Sequence, residues 1–319
     1  EAEQKVLALH KQHDDNTYEK ALNNALYKRY RRLLSLIEKG NKTRSLFQFI
    51  ELKEQEVQFY RNLVQSKDFK ARKLLDTEIS LEKTRGLATL QLRHLNFIQE
   101  EMGFSIDTST SLLSPEKPLQ FLSFPEIKRV MNQSLRPLKN PDVLSSRLDF
   151  ELEKSMNQSV KAKEKLGIDL LTFQYNENRG EDVVSFTVGF NIPIGENFRA
   201  SESFYDVIEA ESRLISRLET IERLLQDQRH QLHLLSLENN FLLTHIQGLE
   251  VRISKPYAMS DPELLFSLKH EKISHEKELF ATKLKAVHLY LNFLNLSGML
   301  GKPPLRNWIQ EGHPLLSAK

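Results

Sequence analysis

The chain has 319 residues, 39% of them hydrophobic and 28% charged, with 11 Gly, 11 Pro, no Cys and a formal net charge of +2. Few punctuating residues and many charges favour a small number of long helices over a compact enzyme with many connections. Near-neutral charge excludes a general attraction to nucleic acid, the missing cysteine excludes disulfides and thiol chemistry, and no apolar run is long enough for a transmembrane helix.

The polar start, Glu1-Ala2-Glu3-Gln4, lacks a basic-then-apolar export pattern, so the chain reads as cytoplasmic or as a mature or trimmed form. Residues 1–104 read as a first helical hairpin. One helix is expected to about Lys39, and Gly40-Asn41-Lys42-Thr43-Arg44 is expected to turn. A long helix to Gly103 then keeps heptad phase through Leu46, Ile50, Val57, Tyr60, Val64, Ala71, Leu74, Leu81, Ala88, Leu92, Leu95 and Met102.

Residues 105–125, rich in Ser, Thr and Pro, read as a linker. A helix is expected over 126–166, starting near Phe124, interrupted early by Pro137 and Pro141 and ended by Gly167. From 167 to 195 the period changes to two. Leu171, Phe173 and Tyr175 alternate with Leu170, Thr172 and Gln174 in a first arm, and Val184, Phe186, Val188, Phe190 and Ile192 alternate with mostly small or polar residues in a second, with a turn over Asn176–Asp182. One apolar face over this length is the dyad pattern of a transmembrane barrel strand, and equally that of a soluble hairpin with one face on a core. A lone hairpin is marginal in water, so it is expected to pair with copies from other subunits.

Residues 196–298 read as a second helical hairpin. Leu214, Leu218, Ile221, Leu225, Leu232, Leu235, Leu242, Ile246, Leu249 and Ile253 form a heptad seam once Gln228 and Asn239 are admitted as polar members. Such a helix would be roughly 85 Å long, a strut. Ser254–Pro262, with two prolines and Asp261, is a stop and restart, after which Phe266, Ile273, Phe280, Val287 and Leu294 recur every seven residues to about Gly298. Both hairpins close on the same text, Leu95-Asn96-Phe97 and Leu291-Asn292-Phe293, which makes an internal duplication plausible. Residues 299–319 form a C-terminal tail.

The ordered set resembles the outer-membrane efflux family whose best-known member is TolC. The matching text is Asn140-Pro141 opening a helix, Ala162-Lys163, the strand Gly189 to Gly195, Arg199, Glu209-Ala210, and the closing helix from Leu264 to Gly298. Tyr30 to Gly103, with Gly40, Thr43 and Arg44 at its turn, resembles the first-half hairpin, so the likeness covers about four-fifths of the chain. The resemblance implies a mainly α fold of coiled-coil hairpins, a β-hairpin contributed to an oligomeric transmembrane β-barrel, and a trimer in the outer membrane and periplasm of a Gram-negative bacterium. It implies passive export of solutes or proteins with a periplasmic adaptor and an inner-membrane transporter, contact with outer-membrane lipid, and no cofactor. Family subunits carry two β-hairpins, whereas one is read here. The stretch from Gly40 to Gly103 is also longer than that from Met259 to Gly298.

On that resemblance Gly40, Asn41, Thr43, Arg44, Tyr257 and Asp261 are candidates for adaptor contact and tunnel closure, with Arg44 and Asp261 as a charge-assisted pair between hairpins. Read only as residues, they are caps and turn formers. His230 and His233 lie one helical turn apart but lack a third ligand at a defined spacing, and His270 and His275 are weaker still. No phosphate loop, nucleophile elbow, zinc-binding His-Glu pattern or calcium loop is present, so no catalytic centre is expected. The competing reading is a soluble coiled-coil scaffold whose hairpin binds a partner protein.

Overall fold

A computed structural model of the chain describes residues 2–67, 69–101, 122–133, 140–163, 167–178, 181–191 and 197–315. In chain order the elements are α1 (Ala2–Asn62), α2 (Ala71–Glu101), α3 (Phe124–Gln133), α4 (Pro141–Lys163), β1 (Gly167–Asn178), β2 (Glu181–Asn191), α5 (Asn197–Ile253), α6 (Pro256–Ser260) and α7 (Pro262–Leu296). No helix among the described residues is long and apolar enough to cross a membrane.

The chain divides into two compact units. The first comprises the start of α1 to Leu22, residues Arg136–Leu224 and Leu296–Gly298. Here Asn140 opens α4: its Oδ1 accepts from the backbone N–H groups of Asp142 and Val143, at 2.8 and 3.0 Å, and Pro141 follows at the first helical position. Asn140 Nδ2 donates to the Leu296 carbonyl, and Asn16 Nδ2 donates to the Pro141 carbonyl and to Ser145 Oγ. Asp142 is clamped by Lys20 of α1 at 2.5 Å and Arg217 of α5 at 3.2 Å. Three helices therefore converge on the start of α4.

The β-ladder belongs to this unit. β1 and β2 pair antiparallel, with Leu171 opposite Val188, Phe173 opposite Phe186 and Tyr175 opposite Val184. Directly opposed positions share one face of a ladder, so the two apolar registers coincide. The strands continue to Asn178 and from Glu181, so residues 176–178 and 181–182 are strand rather than the expected turn. An irregularity between Ile168 and Leu170 sets Ile168, instead of Asp169, opposite Phe190. A single inserted residue reverses the alternation on one strand, which strict period-two reading misses. Ile192 lies outside the described residues, as do Met102, Gly103 and most of the predicted linker.

The second unit comprises Asn23–Leu135, Leu225–Asn295 and Met299–Lys319. α1 runs antiparallel to α7, as shown by Asn23 Nδ2 on Asn295 Oδ1 at 2.7 Å and, farther along, His270 of α7 on Glu56 at 3.1 Å. α1 and α2 are antiparallel through Arg61–Glu78 and Arg85–Glu54. α5 and α7 pair through Lys272–Glu250 and Thr282 Oγ1 donating to Glu238.

The expected turn at residues 40–44 is absent: α1 passes through Gly40, Asn41, Thr43 and Arg44 without a break. Thr43 and Ser45 return their hydroxyls to the carbonyls of Lys39 and Asn41, and Lys42 pairs with Glu38 one turn back. Gly40 costs a helix interior about 1 kcal/mol. Against that stand the buried Leu34, Leu36 and Ile37, each contributing about 1.5–3 kcal/mol on leaving water. Burial outweighs the local preference, so glycine and asparagine stay helical.

The chain reverses instead at Leu63–Lys70, where amides bond three residues back: Leu63 to Tyr60, Val64 to Arg61, Ser66 to Leu63 and Phe69 to Ser66. The two closing arms become comparable, 31 residues in α2 and 35 in α7, which accounts for the excess length noted between Gly40 and Gly103. α7 ends as expected. Gly298 takes φ 66° and the Met299 amide bonds the Leu294 carbonyl, a left-handed cap.

The α5 seam is buried at Ile221, Leu225, Gln228, Leu232, Asn239, Leu242, Ile246 and Leu249. Gln228 Oε1 and Asn239 Oδ1 find no hydrogen-bond partner among the described residues. Polar seam positions commonly fix register at a cost in stability.

Within the C-terminal tail Leu300, Trp308 and His313 are buried, an attachment that the sequence pattern does not announce. Tyr30 Oη donates to the Arg306 carbonyl and accepts from the Trp308 amide, Gly312 N–H donates to Glu126 Oε1, and the Tyr290 hydroxyl meets His313 Nε2 at 3.0 Å. Residues 299–315 thus fasten α1, α3 and α7 together within this unit.

Candidate functional site: the paired helical turns

Two turns of the second unit meet. The α5–α7 connection begins with Lys255 in extended backbone and Pro256 at the start of α6. Ala258 is fully buried and packs with Leu249 and Leu268, with Ile253 against them. This small apolar cluster ties the short α6 down onto the hairpin it closes. Asp261 Oδ1 accepts from Leu264 N–H at 3.1 Å and caps α7. Glu263, in the first turn of α7, receives both Lys70, at 2.9 Å, and Lys73, from the start of the neighbouring hairpin's second arm.

The electrostatics follow from that contact. Hydrogen bonds from Lys73, then Lys70, hold the Glu263 carboxyl below its usual range. Tyr60, which is buried, is pushed up by burial and by the carboxylates of Glu263 and Glu56. Around this charged join the surface is apolar: Val64, Tyr257, Met259 and Leu264 are all exposed.

Of the predicted turn residues, the structure brings Tyr257 and Asp261 to this place. Gly40, Asn41, Thr43 and Arg44 lie mid-helix, and Thr43 is fully buried. An Arg44–Asp261 pair across two turns is therefore not available, and Lys70 and Lys73 occupy the cationic role opposite α7. Leu63–Lys70 was missed because the heptad phase of Val57, Val64 and Ala71 reads straight across it; the polar run Ser66-Lys67-Asp68 was the available signal. His230 and His233 are exposed on α5, and His270 is used structurally, stacking on Phe49 at 5.9 Å.

A second feature concerns the outer faces of the helices. On α2, Leu75, Ile79, Leu87, Leu90 and Phe97 are exposed, and on α5, Ile208, Ile215, Leu234, Leu237 and Phe241 are exposed. Helical projection sets this α5 stripe roughly opposite its buried seam, so α5 carries two apolar faces. One is used within the chain, and the other is not.

No protein-family model and no curated protein sequence matches the chain. Solved structures do. CusC superposes with a TM-score of 0.62 at 12% identity, over 92% of this chain and 73% of that one. The open-state outer membrane channel MtrE of Neisseria gonorrhoeae gives 0.59 at 12% identity, over 94% and 71%. The outer membrane protein VceC of Vibrio cholerae gives 0.56 at 12% identity, over 90% and 74%.

Proposed function

We propose, from a fold that is that of the TolC-like outer-membrane efflux channels, that this chain is a subunit of an oligomeric efflux duct crossing the outer membrane and periplasm. The observation that carries the reading is the second apolar face of α5, matched by the exposed stripe on α2. Two opposed seams on one helix let it pack inside its own chain and against a neighbour. A closed ring of such chains covers every stripe, and an isolated chain leaves them wet. The β1–β2 ladder, which pairs only with itself among the described residues, supplies strands to a barrel shared by the copies, a trimer by analogy with the fold.

Conduction is passive. The helices line a path, and no residue set for catalysis is required. The turns at Leu63–Lys70 and Ser254–Asp261, with Tyr257 and Asp261, form the end that meets a periplasmic adaptor and an inner-membrane transporter. Their apolar rim offers the contact, and the Lys70/Lys73–Glu263 join holds the end closed.

Fractionation of the native cell envelope tests the reading. A detergent-requiring trimer in the outer membrane supports the duct. A soluble monomer or dimer removes it and leaves a coiled-coil scaffold with a protein-binding hairpin.

A further inference from the structure

Within the antiparallel α5–α7 pair, His245 of α5 faces Glu271 and His275 of α7. His245 Nε2 lies 3.2 Å from Glu271 Oε1, and His275 Nε2 lies 3.8 Å from the same oxygen. The imidazoles meet edge to face with centroids 4.5 Å apart, and one ligand atom from each residue falls within 4.8 Å of the other two. Glu271 and His275 are four residues apart, the spacing that sets two ligands on one helix face. His245 closes the set from the opposite helix, so the cluster exists only in the assembled hairpin.

The surrounding groups aim these ligands. His275 Nδ1 is 3.0 Å from Glu278 Oε2. With that carboxylate as acceptor, Nδ1 carries the proton and Nε2 turns its lone pair toward Glu271. An imidazole lone pair and a carboxylate oxygen then point into the same space, an arrangement that a cation satisfies. Phe241 stacks against His245 with centroids 6.0 Å apart, supporting that ring from the side.

We propose that His245, Glu271 and His275 bind one divalent transition-metal ion of the zinc class, clasping α5 to α7. Two imidazoles and one carboxylate suit Zn2+, Ni2+ or Cu2+ and disfavour Mg2+ and Ca2+, and three protein ligands leave a fourth position for water. Metal–ligand bonds of about 2.0–2.1 Å in a tetrahedron place ligand atoms about 3.3 Å apart. The separations of 3.2 and 3.8 Å lie close to that value. All three side chains are at least partly exposed, so an ion enters without opening the hairpin. The clasp adjoins the Leu249–Ala258–Leu268 cluster in sequence and restrains the stretch that carries the turn.

The test uses the full chain, free of any histidine tag, purified in detergent and stripped with a chelator. Titration with zinc chloride is expected to show one ion per chain, and cobalt is expected to give the absorption of a low-symmetry, four-coordinate site. His245→Ala and Glu271→Gln are each expected to abolish both signals while leaving the helical circular dichroism intact. Glu278→Gln is expected to weaken binding about 10–100-fold, the usual loss when the group orienting a ligand histidine is removed. Absence of binding at micromolar zinc overturns the proposal. So does unchanged stoichiometry in both His245→Ala and the milder His245→Gln, which would place the ion elsewhere. The metal readouts do not depend on conduction or membrane insertion, so they succeed or fail separately from the duct reading.

Discussion

Lys70 and Glu263, 193 positions apart in the chain, meet at 2.9 Å where the two helical turns adjoin. Lys73 binds the other carboxylate oxygen, so one glutamate on α7 holds the start of α2. Exposed ion pairs contribute about 0.2–1 kcal/mol. Glu263→Gln is therefore expected to speed hydrogen exchange across Leu63–Lys70 by roughly two- to fivefold, without changing global unfolding.

The pH dependence has a fixed sign. The folded-state pKa of Glu263 is the depressed one, so its stabilisation is complete above the ordinary glutamate value of about 4.3 and is lost as pH falls through the folded value. Exchange at this turn should become insensitive to Glu263→Gln in acid; a difference that persisted there would assign the effect to packing.

His313 supplies a second, separable pH effect. It is buried against the Tyr290 hydroxyl, and burial lowers its pKa, with Glu126 opposing and Arg129 and Arg306 assisting. As pH falls through about 6.5 the unfolded chain takes up the proton first. Stability supplied by the fastened tail is thus present above that pH and declines as pH drops toward the folded value. Tyr290→Phe removes the hydroxyl opposite Nε2 and should cost about 1–3 kcal/mol at neutral pH, read by denaturant unfolding.

Asn140→Ala should cost about 1–2 kcal/mol, more than an ordinary surface cap, because the side chain both caps α4 and donates to the Leu296 carbonyl while almost wholly buried. Asn140→Asp keeps the cap oxygen but sets a carboxylate oxygen against the Leu296 carbonyl, so in a chemical melt it should cost at least as much as Asn140→Ala.

Gly248 on α5 and Gly86 on α2 face open space within the chain and lie on the exposed apolar stripes. In an isolated chain Gly248→Ala should stabilise by about 0.5–1 kcal/mol through helix propensity. If a neighbouring helix packs closely on that stripe, the bulkier Gly248→Leu should instead weaken the oligomer, seen as trimer loss in detergent. An undisturbed trimer would move the interface to another face.

If β2 contributes to a barrel as proposed, Val188→Asp together with Phe190→Asp should abolish membrane assembly, since two carboxylates would be placed on the lipid face of the strand. Normal insertion of a trimer carrying both changes would remove the barrel role from β2.

Period and punctuation determined much of this molecule. The seam from Ile221 to Leu249, the break at Pro256 and Pro262, the cap at Asn140 and the change to period two at Gly167 are written in local residue order, because amphipathic spacing and proline act within a few residues. Tertiary structure decided the rest. Gly40-Asn41 reads as a turn but is helix, since neighbouring side chains bury α1 there, whereas Ser66-Lys67 keeps coiled-coil phase around it and yet lies where the chain reverses. Identical text ends differently as well: Phe293 is fully buried and Phe97 is 59% exposed. The meeting of Lys70 with Glu263, of Tyr290 with His313, and of His245 with Glu271 joins residues from separate helices. Such pairings depend on the packing register of whole helices, a sum over many weak contacts that no short window of sequence contains.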